Sequence, residues 1–110
     1  MPFSHSVGFE PLRSLAFGGI GVAYAPIGTA LASPGYVFIV NNYTDEILAF
    51  SLDGVEDHFA LDAGSTMTID ISSNKDLIRN LGLSVGDRFY VKRIGTPTVG
   101  SVYVTVMIRK

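Results

Sequence analysis

Tyr36-Val37-Phe38-Ile39-Val40 is an unbroken run of β-branched and aromatic residues, and its reading decides the class of this chain. Such a run predicts a strand buried on both faces. Asn41-Asn42 ends it. Downstream, residues 46–52 read as a strand with Ile47, Ala49 and Ser51 on one side and Leu48, Phe50 and Leu52 on the other. Asp53-Gly54 supplies a tight turn, because glycine accepts the positive φ such turns need. His58-Phe59-Ala60-Leu61 is a short strand, and Asp62-Ala63-Gly64-Ser65 turns the chain again. Residues 66–71 then alternate, with Met67, Ile69 and Ile71 inward. Arg88-Phe89-Tyr90-Val91-Lys92-Arg93 is a further strand, residues 95–100 form a loop around Pro97, and Val102-Tyr103-Val104-Thr105-Val106-Met107-Ile108 is the longest clean strand of all.

Upstream, residues 12–16 and 21–25 are short β-type runs separated by Gly18-Gly19, and Pro26, Gly28, Pro34 and Gly35 mark turns. Residues 73–83 alone read as a helix. Ser73 or Asn74 caps it, Asp76 sits in its first turn, Leu77, Ile78 and Leu81 share a face, and Gly82 stops it. At two turns it is a connector. The expectation is an all-β domain, a β-sandwich or jelly-roll-like fold of seven to eight strands with one short connecting helix. Turn signals roughly every 8–12 residues support it. Residues 1–11, broken by Pro2, Gly8 and Pro11, read as an extended N-terminal arm, and residues 12–110 as the single domain. Phe3, Val7 and Phe9 are apolar at odd positions, which favours an arm docked on a neighbour over a frayed one.

Composition narrows the functional classes. The 110 residues contain no cysteine, which excludes disulfides, thiolate metal sites and a cysteine nucleophile. Hydrophobic residues make up 47% and charged residues 16%, against roughly 25% charged in an ordinary soluble domain. Mean hydropathy is +0.35. No apolar run approaches the roughly 18–20 residues that span a bilayer. The surplus is therefore expected to be buried against other chains, since large exposed apolar patches mark interfaces. The formal net charge is −2, and the eight lysines and arginines are scattered without a basic stripe, so direct nucleic-acid binding has no electrostatic basis. The first residues lack a cationic segment followed by an apolar one, which predicts no secretory signal and leaves the sequon Asn42-Tyr43-Thr44 without a glycan.

Candidate chemistry is sparse. Only His5 and His58 could act as a general base, and a small hydrolase would have to use His58 with Asp57 beside it. The densest carboxylate group is Asp53, Glu56 and Asp57, weak candidates for a calcium ion. The spacing is not that of an EF-hand, and the Asp53-Gly54 turn explains the segment without a metal. Gly18-Gly19-Ile20-Gly21 precedes no helix and lacks the lysine of a phosphate loop, so a bend between strands accounts for it. No catalytic residue, cofactor or metal is expected.

Read together, Arg13-Ser14-Leu15-Ala16-Phe17-Gly18, Tyr24 with Ile27-Gly28-Thr29-Ala30-Leu31, Asn41-Asn42 ahead of Phe50-Ser51-Leu52-Asp53-Gly54, Asp57, Ala63-Gly64, Asp70 with Asn74-Lys75, Tyr90-Val91-Lys92 and Gly100-Ser101-Val102-Tyr103-Val104 follow one another in an order that resembles small virion structural proteins of tailed bacteriophages. The resemblance covers the chain from Arg13 onward and rests on turn and strand-end residues. It implies a β-sandwich assembled in many copies at the head–tail junction, the tail or the capsid surface. It also implies synthesis in the host bacterial cytoplasm, residence in the virion, and partners that are copies of itself and portal, capsid or tail proteins, with no nucleic acid or membrane. It carries no catalytic residue. The expected contact residues are Phe3, Val7 and Phe9 of the arm and Phe17, Ile20, Val22 and Tyr24 of the glycine-rich segment. The alternative is a β-sandwich module that binds a glycan or small ligand through the loops at residues 41–46, 53–57 and 95–99, assisted by calcium at the second of them.

Overall fold

The computed structural model describes residues 7–70 and 84–109. Among the described residues nine strands follow one another, against the seven to eight expected: β1 (Val7–Phe9), β2 (Arg13–Ala16), β3 (Ala25–Pro26), β4 (Gly35–Asn42), β5 (Leu48–Ser51), β6 (Phe59–Leu61), β7 (Thr66–Asp70), β8 (Tyr90–Arg93) and β9 (Ser101–Arg109). All pairings are antiparallel. One sheet has the order β1-β9-β4-β7, with β2 also on β9, and the other has the order β3-β8-β5-β6. The all-β sandwich expected from the sequence is the fold observed. The helix expected at residues 73–83 lies outside the described residues, and so do Phe3 and His5.

Strand β9 organises the first sheet. Along one edge β2 pairs with its first residues, Arg13↔Val104 to Ala16↔Ser101, and β1 with its last, Val7↔Arg109 to Phe9↔Met107. Along the other edge β4 runs from Asn42↔Val102 to Gly35↔Ile108, with a register shift between Gly35 and Val37. The clean alternation of β9 sends Val102, Val104, Val106 and Ile108 inward. Phe38 and Val40 join them from β4, and Leu48, Phe50, Leu61, Phe89 and Val91 face them from the other sheet. Across this interior the rings of Phe38 and Phe89 lie 5.2 Å apart. Ile20, Ile27 and Leu31 close the sides. Each such side chain, fully buried, stabilises by about 1.5–3 kcal/mol.

Two strand readings shift for definable reasons. The run at residues 36–40 buries only one face, through Phe38 and Val40; Val37 and Ile39 lie on the outer face and are half-buried. Conversely, β5 is buried on both faces. Its small residues Ala49 and Ser51 stand opposite Lys92 and Tyr90, whose larger side chains rise beside them. Residues 21–25 do not form a full strand. A 3-10 turn at Phe17–Gly19 is followed by bends, and pairing resumes only at Ala25–Pro26.

Two buried polar groups fix the loops that pass between sheets. Arg13 is 4% exposed and donates to the carbonyls of Thr29 (2.7 Å), Ala30 (3.1 Å) and Pro11 (3.1 Å) and to Glu10 Oε1 (3.0 Å). The same Glu10 oxygen accepts the amide of Ala32. This pair clamps the connection from β3 to β4 onto the sheet edge and ties down the residue that follows β1. The bonds to Arg13 hold the Glu10 carboxyl below the usual carboxylate range, outweighing the cost of its burial. Gly28, at φ +72°, passes so close that a Cβ would lie 2.7 Å from Arg13 Cγ. Arg88 holds the Gly28 carbonyl from the other side, at 2.9 and 3.1 Å.

The second group is Asn42, fully buried at the end of β4. Its Nδ2 donates to the carbonyls of Glu46 (2.9 Å), Leu61 (2.9 Å) and Asp62 (3.2 Å). Its Oδ1 accepts from the amide and hydroxyl of Thr44, at 3.0 and 2.6 Å. The sequon nitrogen is thus enclosed and committed, which gives a structural reason for the expected absence of a glycan. Asn42→Ala strips partners from several buried groups at once. Urea unfolding is expected to show a loss of roughly 3 kcal/mol or more, with the midpoint falling and the slope unchanged.

Candidate interaction surface

The strand ends define two ends of the sandwich. At one end lie the turn Phe17–Gly19, the segment 20–23, the loop 43–47, the turn 62–65 and the loop 94–100; the registers Ala16↔Ser101, Asn41↔Thr66 and Leu48↔Arg93 bring them together. Nine large apolar side chains are exposed among the described residues, and five of them, Phe17, Val22, Tyr43, Ile94 and Val99, stand on these loops. Val22 is 72% exposed and Ile94 56%. They flank a backbone hydrogen bond from Arg93 N to the Gly21 carbonyl, 2.8 Å.

These loops are held in place. Asp45 accepts from the Thr98 hydroxyl (2.6 Å) and amide (2.8 Å), which lowers its pKa below the usual carboxylate value. Phe17 N donates to the Gly100 carbonyl and Tyr43 N to that of Ser101. Gly100 has φ +97°, and a Cβ there would collide with the Tyr43 carbonyl. Apolar groups displayed on pinned backbone lose little entropy when a partner covers them.

The expected contact residues scatter. Phe9 is 60% exposed on β1, which pairs with β9 of its own chain, whereas Phe17 and Val22 lie at the loop end. Ile20, expected at the surface, is a core residue at 5% exposure, turned inward where the 3-10 turn ends. Tyr24 is half-buried. Its hydroxyl donates to Asp57 and its ring lies under the Lys92 ammonium, 4.9 Å from the centroid. Burial, followed by the bond to Asp57, pushes its pKa well above the ordinary tyrosine value. Tyr43 and Val99 lie in two of the loops expected to bind a ligand but were not expected as contact residues of an assembly, and Ile94 was not singled out in the sequence. The only signal they gave was an apolar residue inside a turn-rich stretch.

The metal candidates do not converge. Asp53 Oδ1 accepts from the amides of Val55 (2.8 Å) and Glu56 (3.0 Å) and from the Ser51 hydroxyl (2.8 Å). Asp57 is taken by Tyr24 and by Lys92, 3.1 Å away. Among the described residues no three metal-ligating side chains cluster. His58 Nδ1 accepts the Leu52 amide, and its Nε2 faces Asp53 at 3.8 Å, so the imagined partnership with Asp57 is not formed. The loops 41–46 and 95–99 do meet, through Asp45 and Thr98, but 53–57 lies past the other end of β5, so the three candidate loops do not make one site. No helix of the described residues is long and apolar enough to cross a membrane.

Solved structures with some similarity to this chain include two phage proteins and a pilus protein. A chain of the cyanophage Pam1 capsid asymmetric unit superposes with a TM-score of 0.50 at 15% identity, covering 99% of this chain and 86% of that one. This likeness is one of fold. A pilus protein of Bacillus endospore appendages matches at a TM-score of 0.47 and 9% identity, over 96% of this chain and 90% of that one. The Dit (gp 19.1) protein of phage SPP1 matches at a TM-score of 0.40 and 14% identity, over 94% of this chain and 49% of that one. No protein-family model matches, and no curated protein is similar in sequence at a significant level.

The Asp53 loop yields a pH prediction. Amide bonds from Glu56 and Val55 lower its pKa from 3.8 to about 2. A depressed folded-state pKa contributes stability that is present above the unfolded value and lost as pH falls through the folded one. Asp53→Asn keeps an acceptor oxygen but removes the titration. The urea midpoint of the variant is expected to fall less steeply than that of the native chain between pH 3.8 and about 2.

Proposed function

We propose that the chain is a structural component of a tailed-phage particle, multimerising and binding neighbouring virion proteins through the loop end of its sandwich. The observation that carries this reading is the group Phe17, Val22, Tyr43, Ile94 and Val99, exposed together on loops that Asp45, Thr98 and Asn42 hold in place. Covering a few such side chains contributes several kcal/mol, on the order of 1.5–3 for each one fully buried, before the cost of association. A monomer leaves that free energy unused.

The near full-length likeness of fold to a chain of a cyanophage capsid supports the reading, as does the sequence resemblance from Arg13 onward. Partners are then further copies of the chain and portal, capsid or tail proteins, and the site of action is the virion. The role is architectural. His58 hydrogen-bonds to its own loop, and Asp57 is occupied by Tyr24 and Lys92. Two surfaces on each copy, the loop end and the exposed Phe9 of β1, suit the head-to-tail contacts that close rings.

Sedimentation velocity at rising concentration tests the reading, alongside a search for the chain in gradient-purified particles. The expected outcome is multimers and particle-bound copies. In the Val22→Ser, Ile94→Ser double variant, association is expected to weaken at least tenfold while the urea midpoint holds. A native chain that stays monomeric and is missing from purified particles would overturn the proposal.

A further inference from the structure

The outer face of the sheet built on β9 adjoins the loop end, sharing Tyr43 with it, but its composition is otherwise different. Register sets Ser14, Tyr103, Asn41 and Thr66 in a single row across β2, β9, β4 and β7. Their chain neighbours Val102, Val104, Val40 and Asn42 are buried, so this row faces away from the core. In the next row Ile39 lies between Thr105 and Thr68. Neither row contains a charged residue. Tyr43, 55% exposed, leans against Tyr103 with ring centroids 5.7 Å apart and planes at 59°. Asn41 Nδ2 donates to the Thr66 hydroxyl at 2.9 Å, which orients the amide and leaves its oxygen as an acceptor.

We infer that this face binds a neutral glycan, with Tyr43 stacked on a sugar ring and Asn41, Ser14, Thr66 and Thr105 bonded to its hydroxyls. A pyranose presents weakly positive C–H groups on its flat side, which the negative face of a tyrosine ring attracts. Its rim carries hydroxyls that both donate and accept, and amide and hydroxyl side chains answer both needs. The same chemistry argues against other occupants. An apolar protein surface would leave these hydroxyls buried without partners. A nucleic acid or an acidic polysaccharide would require cations that the two rows do not have.

The test uses the full chain, 15N-labelled, titrated separately with cellohexaose, xylohexaose, maltohexaose and mannohexaose, and with oligogalacturonate as the acidic counterpart. Titration to ~10 mM covers a weak Kd of about 1 mM. The expected result is a saturable shift, with at least one neutral oligosaccharide, of the amides of Ser14, Asn41, Tyr43, Thr66, Tyr103 and Thr105. Tyr43→Ala is expected to weaken binding about tenfold, with the core resonances of Val104 unmoved, and Val55→Ala at the far end to leave it unchanged. The proposal is overturned if no neutral oligosaccharide gives a saturable shift on this face, if oligogalacturonate binds instead, or if Tyr43→Ala binds as the native chain does. The Val22→Ser, Ile94→Ser protein keeps Tyr43 and is expected to keep full glycan binding, so a failure of this inference and a failure of the assembly reading are distinguishable.

Discussion

The carboxamide of Asn42 leaves β4, in one sheet, and ends on the carbonyls of Leu61 and Asp62 at the end of β6, in the other. Its remaining bonds, to Thr44 and to the Glu46 carbonyl, shape the loop that carries the chain from the first sheet to β5. Asn42 is fully buried, and a buried group such as the Leu61 carbonyl, left without its bond, would cost about 1–3 kcal/mol. The order of the loop end follows. Thr44 and Glu46 fix the turn, Asp45 between them meets Thr98, and Gly100 lets the last loop pass close over the Tyr43 carbonyl. The exposed apolar side chains are therefore displayed in one arrangement. Arg13 does the corresponding task along the sheet edge, gathering the carbonyls of Pro11, Thr29 and Ala30.

The long strands were legible in the sequence because alternation and β-branching act locally, and β4 and β9 combine both signals. The short strands were not. β1 and β3 contain three and two residues, and they exist because β9 and β8 offer free edges, which is a tertiary fact. The burial of both faces of β5 is likewise a tertiary fact. Ala49 and Ser51 pair with Lys92 and Tyr90, which lie more than 35 positions away in the chain. Pro26, expected to mark a turn, instead ends a two-residue strand at a sheet edge, where its missing N–H does no harm.

The surface was less legible than the fold. An excess of apolar residues announced that something would remain uncovered, but it could not say which residues. Ile20 and Val22 are neighbours in one glycine-rich segment, and the first is core while the second is among the most exposed residues described. The buried pair Glu10 and Arg13 had no sequence signature either. Charges three positions apart usually suggest a helix face, and here the two residues bracket a break between strands.

Val7 and Arg109 stand opposite one another, at the end of the sandwich away from the loops. Load applied between these two points would meet the β1–β9 ladder end-on and peel its hydrogen bonds one after another, a mode with little resistance. Tension between either point and the loop end runs along β9 instead, whose pairings with β2 and β4 must then slip together. The chain would be tough in one direction and yielding in the other.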